Sequence, residues 1–378
     1  MASADAERAL TLEDLTIVDA DSHLKPTPED LLEYMEPTDG ARRMIEKAGQ
    51  IGSEIFTHTR ASAAFPNDSD NVADGTDPVT NRGYQPDGKA EYMDEFGISA
   101  AILTPAGGTA GGGIATINHD PTAVSYATAY NDWLVDNWLG VDERFHGSIL
   151  VANQRPDLAA EEIDRRADED GVVAVQLPAA GLVPPAGHRQ YEPIYEAAED
   201  HGLPICMHTH ESQGALSFPV QRRWAETFSE SHAFIFPAEA IWHLNSLVCN
   251  GVPERFPDLQ WVHQEPGFEW LPWLMWRLDD HYLQNSDDFP MLTRRPSQII
   301  RDQFHVTTQP LGHTETPQHM GWMLEIAGAS DTVLFSSDHP HPDFDPPQEV
   351  FEPARSQLDD GALRGLMGET ALSVFGLD

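Results

Sequence analysis

The run Leu15-Thr-Ile-Val-Asp-Ala-Asp-Ser-His23 decides how this sequence is read. It starts as a short apolar strand and ends in residues able to bind a cation. Residues two apart on extended backbone face the same side, so Asp21 and His23 point together. Seven more short apolar runs follow along the chain. They are Ala100-Ala-Ile-Leu-Thr, Phe145-His-Gly-Ser-Ile-Leu-Val, Gly171-Val-Val-Ala-Val-Gln-Leu, Leu203-Pro-Ile-Cys-Met-His, Leu259-Gln-Trp-Val-His, Gln303-Phe-His-Val-Thr-Thr and Thr332-Val-Leu-Phe-Ser-Ser-Asp. None alternates strictly between polar and apolar, which suits strands covered on both faces. Helical patterns lie between them, over about 90–96 with a stop at Gly97, over Leu158–Asp168 and over Tyr191–His201. Eight strands alternating with helices predict a (β/α)8 barrel, a TIM barrel, rather than an open doubly wound sheet. No glycine-rich dinucleotide or phosphate loop follows any strand.

The 378 residues fit one such barrel. Residues 1–14 read as an N-terminal extension and 15–378 as a single metal-dependent barrel. Residues from about 36 to 90 are rich in Gly, Asp, Asn, Pro and Ser, with little period. They read as a long excursion after strand 1 that covers the barrel mouth, a disordered spacer being the alternative.

Charge is the extreme feature of the composition. There are 62 acidic residues against 22 basic ones, a net charge of −40, and only Lys25, Lys47 and Lys89 are lysines. The acids run along the whole chain, so a localised acidic tail does not explain them. Such charge argues against nucleic-acid binding and points to a chain adapted to high salt, where screening removes the self-repulsion. No apolar run is long enough to span a membrane. The start has no signal-peptide pattern, so a cytoplasmic, halophilic protein is expected. Cys206 and Cys249 are too far apart in sequence for a CxxC site, and Cys206 reads as a small core hydrophobe.

Barrel enzymes place their chemistry at the C-terminal ends of strands. Here those ends carry Asp21 and His23, then His208 and His210, then His263 and Glu265, then Asp338 and His341. Asp21, His23, His208 and Asp338 offer two carboxylates and two imidazoles, a set suited to one divalent ion. A salt-bridged structural cluster without metal is the alternative.

These residues sit in stretches that resemble a known family. Val18-Asp-Ala-Asp-Ser-His, Met93-Asp-Glu-Phe-Gly-Ile, Ala129-Tyr-Asn-Asp-Trp-Leu, Gly202-Leu-Pro-Ile-Cys-Met-His, Trp270-Leu-Pro-Trp-Leu-Met-Trp-Arg-Leu-Asp and Phe335-Ser-Ser-Asp-His-Pro-His recur in this order. The chain from about Leu15 onward resembles the amidohydrolase superfamily, in its amidohydrolase-2 branch of aminocarboxymuconate-semialdehyde decarboxylase-like enzymes. The resemblance implies a first-strand pair at Asp21 and His23, with Asp21 shorter than the Glu often found there. It implies His208 as the fifth-strand ligand and Asp338 as the eighth-strand aspartate. On the sixth strand both His263 and Glu265 qualify. Strand 4 ends without a lysine, so a carbamylated lysine bridging two metals is not expected.

One ion is therefore expected, Zn²⁺ with Mn²⁺ as the alternative. The expected catalytic residues are Asp338, His263 and Glu265. Of the chemistries such a site supports, the resemblance implies non-oxidative decarboxylation of a small carboxylic acid, aromatic or not, ahead of hydrolysis of a C–N, C–O or C–C bond. An inactive barrel serving as a binding subunit is the remaining reading. Arg277 and the pair Arg222-Arg223 are candidates for a substrate carboxylate, although Arg277 can equally pair with Asp279 or Asp280. Phe218, Trp224 and Trp270 are candidates for an aromatic pocket or simply for core. A small-molecule substrate is expected, and pairing of two copies as a homodimer.

Overall fold

The computed structural model describes residues 10–51, 82–106, 114–115, 117–209, 227–341 and 344–377. Eight parallel strands follow chain order around one sheet. They are β1 Val18–Leu24, β2 Ala100–Pro105, β3 Phe145–Leu150, β4 Val172–Pro178, β5 Ile205–His208, β6 Trp261–Gln264, β7 Phe304–Thr307 and β8 Val333–Leu334. The helices of six residues or more are α1 Pro28–Glu33, α2 Gly40–Ile51, α3 Pro86–Phe96, α4 Asp120–Asn137, α5 Pro156–Arg166, α6 Glu192–Asp200, α7 Phe228–Cys249, α8 Leu271–Gln284, α9 Pro296–Gln303, α10 Pro317–Ala327 and α11 Pro347–Ala354. This is the expected TIM barrel. No helix among the described residues is long and apolar enough to cross a membrane.

The seam between the last and first strands closes through backbone bonds. Ala20 N–H donates to Phe335 O at 2.9 Å, His23 N–H to His339 O at 2.8 Å, and Asp338 N–H to Asp21 O at 3.0 Å. The last two tie together the segments carrying the candidate ligands. β8 is shorter than the apolar run Thr332–Asp338 suggested, because Phe335 N–H leaves the ladder for Leu366 O. β1 starts later than the quoted run, at Val18, and extends one residue past His23, to Leu24.

Two apolar layers and one polar layer position the mouth. Val18, Ala20, Ile102, Ala174, Cys206, Val262 and Leu334 fill the barrel interior, with Ala371 and Phe375 from the C-terminal segment packed onto them. The outer faces of the strands meet the helices through a larger core that includes Leu103, Ile149, Trp261, Phe304 and Phe335. Nearer the C-terminal strand ends the interior turns polar. Ser148 Oγ donates to Gln176 Oε1 at 3.0 Å, Gln176 Nε2 to Gln264 Oε1 at 3.2 Å, and Gln264 Nε2 to Ala20 O at 2.8 Å and Thr104 Oγ1 at 3.0 Å. Every member of this network has a partner, so it can be buried at little cost.

Of the expected excursion at about 36–90, residues 52–81 lie outside the described residues. Its two ends are helical. Met35, Ala41 and Ile45 in and around α2 are buried in the outer core, packed against α4. α3 ends on Gly97, whose φ of 69° is the left-handed cap that glycine adopts without a Cβ penalty.

Candidate metal centre

β1 carries Asp21 and His23, β5 ends on His208, and the turn after β8 carries Asp338. All four residues are buried, none more than 5% exposed. The ring tautomers follow from their neighbours. His23 Nδ1 lies 3.2 Å from the Thr104 carbonyl, which can only accept, so Nδ1 carries the proton and Nε2 offers a lone pair. That lone pair faces Asp338 Oδ1 at 2.7 Å and Asp21 Oδ1 at 3.9 Å. His208 repeats the pattern: Nδ1 donates to Thr209 O, and Nε2 faces Asp21 Oδ2 at 3.5 Å and Glu265 Oε2 at 3.3 Å.

Burial, and then the charge of His341, lowers the pKa of His23, so its ring is neutral. Lone pairs pointed at carboxylates repel each other, and a divalent cation among them reverses the sign. Both carboxylate oxygens of Asp21, His23 Nε2 and His208 Nε2 are buried with no hydrogen-bond partner. Orphaned acceptors of this kind are rare in folded proteins. Donor atoms of Asp21, His23 and His208 lie within 4.8 Å of one another, as do those of His23, Asp338 and His341. The residues present therefore fit a divalent ion, and Asp21 stands between both imidazoles rather than at the edge.

Asp338 is held in a demanding state. Burial alone would raise its pKa, but the charge of His341 and its hydrogen bonds to the carboxylate carry it well below the usual carboxylate range. His341 Nδ1 donates to Asp338 Oδ1 at 2.9 Å and Oδ2 at 3.0 Å. Among the described residues, Glu265 (φ 58°) and Asp338 (φ 65°) are the non-glycine residues in the left-handed region. Such backbone costs about 1–3 kcal/mol per residue and collects at functional sites. Glu265 N–H is caught by Thr307 Oγ1 at 3.0 Å, which fixes its turn.

The sixth-strand ambiguity resolves by parity. Val262 packs in the barrel interior and Gln264 reaches across it to Ala20, so alternation sends Trp261 and His263 outward. His263 stacks on Phe304, with ring centroids 6.3 Å apart. Burial, then the charge of His243, pushes its pKa down to about 3. The expectation that His263 serves the site is corrected: it is a neutral ring between the barrel and its helices, while Glu265 reaches His208. The left-handed residue after β6 is what returns Glu265 to the mouth.

Arg277 is half exposed and pairs with Asp280 at 3.4 Å, so of its two readings the surface pair is the one found. Trp270 is half-buried against the outer core and donates to Pro266 O and Gly267 O, each at 3.0 Å. His210, Phe218, Arg222, Arg223 and Trp224 lie outside the described residues. Cys206 packs in the barrel interior as expected. Two residues had no role in the sequence reading. His341 was named at the eighth strand end, and its place three residues after Asp338 was the available signal. Lys89 had none: it is fully buried, and burial pushes its pKa down to about 7. Beside it, burial raises Asp19 to about 6, although Ser337 donates to it through N–H and Oγ.

A TIM barrel with a carboxylate–imidazole centre at its mouth defines a metal-binding enzyme scaffold. The family model described as Amidohydrolase matches residues 19–377, so the chain belongs to the amidohydrolase family, and it is an enzyme of that family. A gamma-resorcylate decarboxylase of Polaromonas sp. (strain JS666) is 26% identical over 283 residues, covering 70% of this chain and 80% of the relative. The 5-carboxyvanillate decarboxylase of Sphingomonas paucimobilis superposes with a TM-score of 0.70 at 18% identity, over 96% of this chain and 99% of that one. A dihydroxybenzoic acid decarboxylase from Polaromonas sp. JS666, with bound manganese and the inhibitor 2-nitroresorcinol, gives a TM-score of 0.65 at 20% identity, over 96% and 97% of the two chains.

Proposed function

We propose that this enzyme carries out metal-dependent, non-oxidative decarboxylation of a small aromatic carboxylic acid, with the ion held by Asp21, His23, His208 and Asp338. The carrying observation is the set of buried, partnerless donor atoms on Asp21, His23 and His208. The direction towards decarboxylation comes from the relatives, whose names specify hydroxylated aromatic acids. Carboxylate donors suit Mn²⁺ and imidazole donors suit Zn²⁺, and a related structure carries manganese. This supports Mn²⁺ alongside the Zn²⁺ expected first.

A bound divalent ion would polarise substrate oxygens and offset their negative charge. The protein's own groups do the rest. Asp338, kept anionic by His341, is a fixed carboxylate. Glu265 is the acid/base group: it gives a proton to the ring carbon that bears the carboxylate. The C–C bond then breaks, its electron pair restores the ring, CO₂ leaves, and solvent returns a proton to Glu265.

The −40 charge supports a cytoplasm of high salt as the setting. Trp273 and Trp276, exposed on α8, support pairing of two copies. The reaction is tested by incubating the Mn²⁺-loaded and Zn²⁺-loaded enzyme with hydroxybenzoates, lactones and amides. CO₂ release with the matching phenol bears the proposal out. Ester or amide turnover with no CO₂ from any acid would overturn it in favour of hydrolysis.

A further inference from the structure

One side chain behind the metal centre is used by none of the steps above. Lys89 lies on α3, is 0% exposed, and is one of three lysines in a chain of net charge −40. Its ammonium has three donors, and three acceptors take them. Nζ lies 2.7 Å from Ser22 Oγ, 2.7 Å from His339 O and 3.0 Å from His339 Nδ1. Ser22 stands between Asp21 and His23 on β1, and His339 directly follows Asp338. One ammonium thus joins the two segments that carry three of the four ligands.

The same helix fixes the orientation of His339. Tyr92, three residues after Lys89, stacks on the His339 ring at 3.7 Å and 2°. With Nδ1 accepting from Lys89, His339 does not turn that nitrogen towards the ligands. His339 O also accepts from His23 N–H at 2.8 Å, so the lysine and the ligand strand share one anchor.

We propose that Lys89 is a positioning residue of the metal centre, which holds the Asp338 turn against the Asp21–His23 segment at the spacing the ion needs. The inference rests on the metal-centre reading above. It gives a sign opposite to plain electrostatics. A lysine acting only as a nearby charge repels the cation, so its removal tightens metal binding. A lysine acting through position weakens binding when lost. Removal of outer-shell partners commonly lowers metal affinity about 10–100-fold.

The test titrates Mn²⁺ into metal-stripped wild type, Lys89→Met and Ser22→Ala by calorimetry, with circular dichroism confirming that each is folded. Ser22→Ala keeps the charge and removes one tie, so it decides the matter if Lys89→Met does not fold. The expected result is affinity weakened about 10–100-fold in Lys89→Met. Ser22→Ala is expected to weaken it about 3–10-fold, the worth of one hydrogen bond. Folded variants that bind Mn²⁺ as tightly as wild type, or more tightly, overturn the role of Lys89 and leave the metal centre standing. A wild type that binds no Mn²⁺ and no Zn²⁺ overturns the metal centre itself, and this inference with it.

Discussion

His23 and His208 each donate Nδ1–H to a backbone carbonyl and aim Nε2 at carboxylates. This division of labour, more than the count of polar residues, is what fits the centre to a cation. It also separates the two sixth-strand candidates. Glu265→Gln is expected to lower kcat about 10²–10⁴-fold, the usual worth of a general acid or base, while His263→Leu keeps kcat within a few-fold of wild type because the ring faces Phe304. Steady-state kinetics on both variants checks this, and the reverse ranking would return the catalytic role to His263. Three buried histidines set a pH limit. Burial, the leading cause in each, pushes His243 and His305 down to about 4 and His263 to about 3. All three stay neutral in the fold while the unfolded chain protonates near 6.5. Their contribution is therefore complete above about pH 6.5 and is lost as pH falls towards 4, by up to about 1.4 kcal/mol per pH unit for each. Asp19, raised to about 6, works the other way but is one group against three. Denaturant midpoints measured from pH 8 to pH 4.5 should fall steadily below pH 6.5, and a flat profile would contradict the buried-neutral assignment.

At the scale of elements, the strands were legible because parallel strands covered on both faces are apolar throughout. β2, β3 and β4 lie within a residue of the runs that marked them. The proposed ligands drew attention in the sequence because Asp21, His23, His208 and Asp338 stand at strand ends. What was not legible depends on local geometry or on distant pairing. A one-residue change of parity moves a side chain from mouth to outer layer, and the sequence carries no mark of the left-handed φ at Glu265 that decides it. Lys89 meets His339 across 250 positions, a contact no local pattern announces. Conversely, the motif Ala129-Tyr-Asn-Asp-Trp-Leu has a visible structural cause. Asn131 on α4 donates to Leu150 O at 2.9 Å, accepts from Leu150 N–H at 2.8 Å, and donates to Glu162 Oε1 of α5 at 2.7 Å. It pins two helices to the end of β3. Asn131→Leu would strand both Leu150 backbone groups, so the expected loss is at least about 2 kcal/mol. Urea unfolding measures it, and a loss below about 0.5 kcal/mol would show that the pin is dispensable.

For the whole molecule, charge and site pull in the same direction. A net charge of −40 opposes compactness in dilute buffer and draws cations towards the protein. Raising KCl from about 0.1 M to about 1 M shortens the screening length from about 10 Å to about 3 Å. The melting temperature of the metal-free protein should rise over that range, and one that stays level or drops would count against adaptation to salt. The barrel, its polar interior layer and the strained turns at Glu265 and Asp338 all surround the one cation position proposed. Anomalous diffraction at the manganese edge, from crystals grown with Mn²⁺ at high salt, tests that convergence most directly. The account predicts one strong peak per chain within bonding distance of Asp21, His23, His208 and Asp338. A peak held by other residues, or none on a protein with those four side chains ordered, would contradict it.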